Sequence, residues 1–308
     1  MKLLRAFVWC LSLLWALAAS AQVEPMGVKA YNPEIFNPVP ADKPTGTYMV
    51  ALLRNGTDFP AGFLCGASVI ADGWVLTAAH CLYDRDCKKL DYTDIYVLAG
   101  QLPLRPGLPK MNASFVRAHP SFQCMPVAQM LSMFNANQAI PMGNDIGLVQ
   151  VDDIKVADPA LVLASDRTVA EKPLVASGWG ALGSNGGMSP QLNSVILTSV
   201  ATSTCAQAWS PSKLSADQLC VSPPKLSPAA GVCSGDSGGP LVATVGSNRI
   251  QAGIVSLGHL VCDAVDRPSL FTNVFSHRTW IESFVGADKL ASMVASTCTP
   301  ADIAARLC

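Results

Sequence analysis

The chain has 308 residues, half of them apolar and 14% charged, with 21 basic against 22 acidic side chains. So even a balance gives no electrostatic reason to expect nucleic acid or an anionic membrane surface as a partner. The apolar share is ample for a core.

Lys2 and Arg5 precede an apolar run, Ala6 to Ala19, broken only by Ser12 and followed by Ser20-Ala21. This charged, apolar and small-residue order predicts a signal peptide over 1–21, cut after Ala21. A membrane anchor competes, but the run falls short of the ~20 residues a spanning helix needs. Cys10 sits mid-run without the small residues of a lipidation site. Cleavage would remove two basic residues, leaving 19 against 22 acidic and a charge of −3. The 287 residues that remain could form one large all-β domain or two smaller ones. The expectation is an exported, soluble protein, extracellular or periplasmic.

Ten of the 11 cysteines lie beyond the leader, and an even count in an exported chain reads as five disulfides. Zinc would need a C-x-x-C pair or a Cys/His cluster, and the sequence has neither. No metal and no cofactor are expected.

Residues 22–46 are proline-rich with little periodicity, and read as a pro-segment or extended lead-in. From Tyr48 onward, short β-type runs alternate with turn residues, at 48–54, 63–70, 74–78, 94–99, 146–151, 173–178, 192–200, 238–245, 250–257 and 270–274. Many short strands with turn signals predict an all-β barrel or sandwich. The strongest helical stretch is 276–296. Segment 124–143, CMPVAQMLSMFNANQAIPMG, stands apart as apolar, Met-rich and non-alternating.

Residues 231–242 read GVCSGDSGGPLV. Glycine around a serine removes the Cβ obstacle and permits unusual backbone angles, as a close-approaching ligand requires. Ser237 is therefore a candidate nucleophile, and a serine hydroxyl needs a base to take its proton. His80, in VLTAAHC, ends an apolar strand at a cysteine that could pin it. Asp145, in GNDIGLVQV, stands at a strand entrance, where a carboxylate can fix the tautomer of a histidine. The order His, Asp, Ser is one of few known solutions. Of the other histidines, His119 reads as structural, His277 as an ordinary helix residue, and His259 as a solvated residue.

LTAAHC, NDIGL, SGWG, GDSGGP and GIVSLG occur in that order, and together they resemble the chymotrypsin/trypsin family of serine proteases over residues 47–286. The resemblance implies two six-stranded antiparallel β-barrels, a cleft between them, and a C-terminal helix starting near Ser276. It implies His80 as general base, Asp145 as its orienter and Ser237 as nucleophile, with the backbone N–H groups of Gly235 and Ser237 as oxyanion hole. Ser256 matches the serine that supports the buried aspartate. It implies the disulfides Cys65–Cys81, Cys205–Cys220 and Cys233–Cys262. Cys87–Cys124 then joins two enlarged loops, 81–99 and 120–144, and Cys298–Cys308 closes an extension over 287–308. Met125, Met130, Leu131, Met133 and Phe134 in the second loop suggest a hydrophobic lid over the cleft.

The resemblance implies a primary pocket with Gly231 at its floor, Val232 beside it, Leu257 on one face, and Gly258 and Ser269 as walls. An aspartate at the floor would select a cation. Glycine instead predicts an uncharged aliphatic or aromatic residue before the cleaved bond, with a basic preference left open by Asp263 and Asp266. Family members gain activity when cleavage frees an Ile/Val-Val/Ile-Gly-Gly N-terminus that pairs with the aspartate before the nucleophile, here Asp236. Residues 22–46 contain no such sequence; Ile35 lies at the right distance but lacks the glycines. The reading is thus a secreted, monomeric serine endopeptidase acting on protein or peptide. The alternatives are a catalytically silent binding protein on a protease scaffold and a serine esterase. Asn55 and Asn112 lie in glycosylation sequons.

Overall fold

A computed structural model describes residues 39–40, 47–100, 103–141, 143–155, 161–165, 170, 172–183, 186–224, 231–246, 248–258, 262 and 267–290. The expected signal peptide, most of the lead-in with Ile35, His259, Asp263, Asp266 and the Cys298–Cys308 pair lie outside the described residues.

The apolar runs pair mainly with their chain neighbours, as short strands joined by turns do. One sheet contains β2 (Met49–Arg54), β3 (Phe63–Ala71), β4 (Trp74–Thr77), β5 (Ile95–Ala99), β6 (Met111–Asn112), β7 (Phe115–Ala118) and β8 (Gly147–Gln150). Their order is β6-β5-β2-β3-β4-β8-β7. Because β6 pairs with β5 and β7 with β8, the single stretch 111–118 joins the two edges and closes a barrel.

The second sheet contains β1 (Val39–Pro40), β9 (Leu161–Leu163), β10 (Leu174–Gly178), β11 (Asn193–Ser199), β12 (Gln218–Ser222), β13 (Pro240–Val245), β14 (Asn248–Leu257) and β15 (Ser269–Asn273). Strand β11 pairs with both β10 and β12, which closes a ring of six. The β1 strand adds to β11, and β9 runs parallel to β14. The fold is two antiparallel β-barrels with a short C-terminal helix.

Residue alternation along β2 shows how the barrels share one interior. Val50 and Leu52 belong to the core of the first barrel, while Met49, Ala51 and Leu53 join a separate cluster with Trp179, Leu192 and Val242 of the second. Successive side chains of a strand point to opposite faces, so a strand with apolar residues at every position is buried on both. The second barrel is filled by Leu174, Ala176, Val195, Leu197, Leu241 and Phe271. Each fully buried leucine or phenylalanine contributes roughly 1.5–3 kcal/mol.

Among the described residues three α-helices accompany the strands: α1 (Val127–Asn135), α2 (Thr202–Ala208) and α3 (Arg278–Val285). Helix α1 lies inside the Met-rich segment. The expected helix over 276–296 divides into a 3-10 turn at Phe275–His277 and then α3, which ends at Gly286 (φ +90°) before a helical turn resumes at 287–290. Glycine adopts this left-handed geometry readily and so terminates the helix. Ile281 and Val285, with Trp280 and Phe284, pack α3 onto the first barrel. Among the described residues no helix is long and apolar enough to cross a membrane.

Among the described residues four disulfides brace the chain: Cys65–Cys81, Cys87–Cys124, Cys205–Cys220 and Cys233–Cys262. The second joins the loop after His80 to the segment leading into α1.

Candidate active site

His80 lies in a 3-10 turn, Ala79–Leu82, that follows β4 directly. The turn leads into Cys81, whose bridge to Cys65 of β3 fixes it to the neighbouring strand. A ring nitrogen of His80 lies within 4.8 Å of both bridged sulfurs. Asp145 stands just before β8, which pairs with β4, so the strand ladder brings the two residues together.

Asp145 is 5% exposed and both of its carboxylate oxygens are hydrogen-bonded. Oδ1 accepts from the backbone N–H of His80 at 2.9 Å, and Oδ2 lies 2.8 Å from His80 Nδ1. A carboxylate can only accept, so Nδ1 carries the proton and Nε2 of the neutral ring is left as the acceptor. The second barrel supplies the remaining bonds: Ser256 Oγ of β14 donates to Oδ2 at 2.6 Å, and Thr272 Oγ1 of β15 to the Asp145 carbonyl at 2.7 Å.

Burial opposes the charged form of His80, but the adjacent Asp145 charge and hydrogen bond outweigh it and raise its pKa above the ordinary 6.5. Burial likewise pushes the Asp145 carboxyl up, yet His80 and Ser256 hold it below the ordinary carboxylate value. One third of the His80 side chain remains open to solvent, whereas Asp145 is sealed behind it.

The segment carrying Ser237 is fastened to both barrels. Gly66 of β3 donates its N–H to the Ser237 carbonyl at 2.8 Å, and Gly238 donates to Val255 of β14 at 2.9 Å. Gly238 has φ +77°, and a Cβ there would collide with Thr77 Oγ1 and the Gly66 carbonyl and lie 3.1 Å from Cys81 Sγ. Only glycine fits this approach. Ser237 thus immediately precedes a backbone position that lies beside the same disulfide as the His80 ring. Gly235, at φ +95°, supplies the turn before it.

Around the expected pocket, a Cβ on Gly258 would lie 3.6 Å from the Val232 carbonyl, so the stretches 231–232 and 257–258 face each other. A Cβ on Gly231 would meet open space among the described residues. Leu257 pairs with Leu270 and packs in a cluster with Trp209 and Phe134 of α1. Ser269 is buried opposite Val221 in the ladder of β12 and β15.

The trypsin family model matches residues 35–281, about four fifths of the chain. Chymotrypsin-2 of Vespa crabro is 34% identical over 244 residues, covering 74% of this chain and 97% of its own length. Human granzyme M is 30% identical over 255 residues, covering 80% and 86%. Trypsin of Sus scrofa is 29% identical over 249 residues, covering 78% and 91%. The chain belongs to the trypsin/chymotrypsin family of serine proteases.

Within this trypsin-family site, Asp236 has an unusual setting. Its side chain is buried against the glycines Gly178 and Gly180, and among the described residues the N–H groups of Gly180 (2.9 Å) and Cys233 (2.8 Å) donate to it. Burial pushes its carboxyl up to about 6, against those two bonds. No cation accompanies it among the described residues.

Two residues of the site region carry no sequence signal. His277, read as an ordinary helix residue, is 5% exposed in the 3-10 turn before α3, with Nε2 3.0 Å from Asp217 Oδ2. The correction is physical: the turn aims the ring inward against a carboxylate 60 residues away in sequence. His119 stacks edge-on against His277, with ring centroids 5.0 Å apart.

Proposed function

We propose that this protein is a secreted serine endopeptidase that cleaves protein or peptide substrates through an acyl-enzyme, acting as a monomer. The observation that carries the reading is the clamp on Asp145, which fixes the His80 tautomer with Nε2 as the acceptor, in a ring beside the disulfide that also lies next to Gly238. In this reading Ser237 Oγ attacks the scissile carbonyl carbon while its proton passes to His80 Nε2. The carbonyl oxygen becomes an oxyanion held by the N–H groups of Gly235 and Ser237, each donor contributing roughly 3–4 kcal/mol. His80 then gives its proton to the departing amine, and a water, deprotonated by the same ring, releases the acyl group. Asp145 stays ionised and stabilises the imidazolium.

The pocket reading rests on Gly231, Val232, Gly258 and Ser269, small and uncharged groups that favour an uncharged aliphatic or aromatic side chain before the cleaved bond. The stretch 120–144 forms a lid. Phe134, Leu257 and Trp209 give it an apolar underside, and Arg267 lies over Phe134 and Trp209 at 4.6 and 5.2 Å. Export rests on the leader at 1–21. One observation favours a second reading, a silent scaffold: Asp236 is buried with no cation among the described residues.

A fluorophosphonate probe separates the two. The wild type is expected to label at one serine and to hydrolyse peptide and ester substrates, while Ser237→Ala does neither beyond the ~10³–10⁴ over water that an oxyanion hole alone supplies. A folded wild type that does not label, or a Ser237→Ala variant with full turnover, overturns the protease assignment.

A further inference from the structure

Behind Asp145 lies a second aspartate–histidine pair that the proposed chemistry leaves unused. Asp217 stands at the end of the loop before β12, and His277 in the 3-10 turn after β15. Asp217 Oδ2 lies 3.0 Å from His277 Nε2, and the same oxygen accepts the backbone N–H of Asn144 at 2.6 Å. Asp217 Oδ1 accepts from Ser215 Oγ. The Asp217 carbonyl accepts from the Asn273 N–H at 2.7 Å, one residue from Thr272, whose hydroxyl holds the Asp145 carbonyl.

Asn144 is the residue before Asp145, with φ +53°, and Gly143 before it has φ +116°. Two successive left-handed residues, one of them not glycine, need outside support, because that geometry is sparsely populated. Asp217 provides it: a Cβ on Gly143 would stand 3.0 Å from Asp217 Oδ1, so the carboxylate underlies the whole turn. Burial works against the charge on Asp217, yet bonds from His277, Ser215 and the Asn144 amide hold its carboxyl well below the ordinary value. A hydrogen bond from a backbone N–H to a charged, buried acceptor is among the stronger kinds.

We infer that Asp217 and His277 are positioning residues: they anchor the turn at Gly143–Asn144 and so set where Asp145 meets His80. The inference rests on the protease reading for its functional meaning, though not for its geometry. The bonds to Asp145 itself fix its carboxylate and its carbonyl, and the Asp217 bond fixes the chain that delivers it.

The test uses the full-length protein and three variants. Asp217→Asn replaces an oxygen with an N–H₂ group that cannot accept from every present donor. His277→Phe removes the donor, and His277→Gln returns an N–H near the Nε2 position. Misplacing a catalytic group by about 1 Å can cost ~10²-fold, and a turn held by its remaining bonds moves less. Asp217→Asn and His277→Phe are therefore expected to lose about tenfold in kcat with KM unchanged. They should also shift the low-field proton resonance of the His80 Nδ1–H. His277→Gln should recover most of both.

Folded variants that keep the wild-type kcat and resonance overturn the inference, even where their thermal stability falls. If the buried substitutions prevent folding, Ser215→Ala, which loosens Asp217 without removing it, carries the test. A moved resonance supports the inference and an unmoved one overturns it. A wild type that does not label with fluorophosphonate, but whose resonance moves in Asp217→Asn, overturns the protease reading and leaves the positioning role standing.

Discussion

Two aspartate–histidine pairs of nearly the same length have opposite surroundings. His80 and Asp145 are 2.8 Å apart, and a third of the histidine side chain is open to solvent. His277 and Asp217 are 3.0 Å apart, and the histidine is 5% exposed. The open pair holds its carboxylate on Nδ1 and presents Nε2, while the sealed pair uses Nε2 inward and sets its ring against His119. Pairing alone does not make a base. What distinguishes the first pair is a partly solvent-open ring whose Nε2 has no hydrogen-bond partner among the described residues, and what distinguishes the second is a backbone amide to hold.

The largest effect that would sharpen this contrast is on turnover. Asp145→Asn is expected to lower kcat by about 10⁴, because the amide no longer imposes the tautomer that leaves Nε2 as acceptor. Asp217→Asn, acting through the backbone, should stay near the tenfold loss argued above. Steady-state kinetics on a peptide substrate measure both, and equal losses would erase the distinction. In the protease reading the acid limb of the profile is expected to follow His80. Its raised pKa means that the neutral, proton-accepting ring is lost as pH falls through a midpoint above 6.5. A profile flat from pH 4 to 9 would point to another base.

The contrast also explains what was legible in the sequence. His80, Asp145 and Ser237 stand in short, distinctive stretches at strand ends, where local chemistry declares itself. The strands around them carry apolar runs long enough to read, as β2, β3 and β14 do. Strand β7 is four residues interrupted by Arg117, and β12 is five bounded by Gln218 and Ser222, so neither offers the uninterrupted apolar run that β4 does. Helix α1 lacks a capping side chain and charged ends, yet Val127, Met130, Leu131 and Phe134 do follow helical spacing, and that signal was available. Asp217 and His277 are different. Nothing local marks either one, since their partnership exists only once the barrel has closed.

Asp236 is a third buried carboxylate, this one without a histidine, and it should behave with the opposite sign to Asp217. Its folded pKa of about 6 lies above the ordinary 3.8, so the folded state binds the extra proton between those values. Stability should therefore fall as pH rises from about 4 to 6 and stay lower above, by about 3 kcal/mol for a two-unit shift. Asp217, held low, instead contributes stability above the ordinary carboxylate value and loses it in acid. Urea unfolding of the Ser237→Ala protein from pH 4 to 8, with and without Asp236→Asn, reads the difference in slope. Equal slopes would mean that Asp236 has a cationic partner in solution.

The smallest effect is expected on the loop that these pairs anchor. Its root is held by Asp217 at Asn144 and its start by Cys87–Cys124, while Val127 and Leu131 on α1 are 46% and 36% exposed. Surface residues away from packed features change stability within about ±0.5 kcal/mol, so Val127→Gln with Leu131→Gln should leave the unfolding midpoint almost unmoved. If the helix is a lid for apolar residues ahead of the cleaved bond, the pair of changes should raise KM by about threefold, since partial cover of an apolar side chain recovers only part of the roughly 1.5–3 kcal/mol that full burial gives. The rise should appear for long apolar peptides and vanish for a small active ester that reaches only Ser237. Asp217→Asn predicts the reverse pattern, a lower kcat for both substrates at constant KM. A KM unchanged for the long peptides would show that only the root of the loop matters and that its apolar face is not used by substrate.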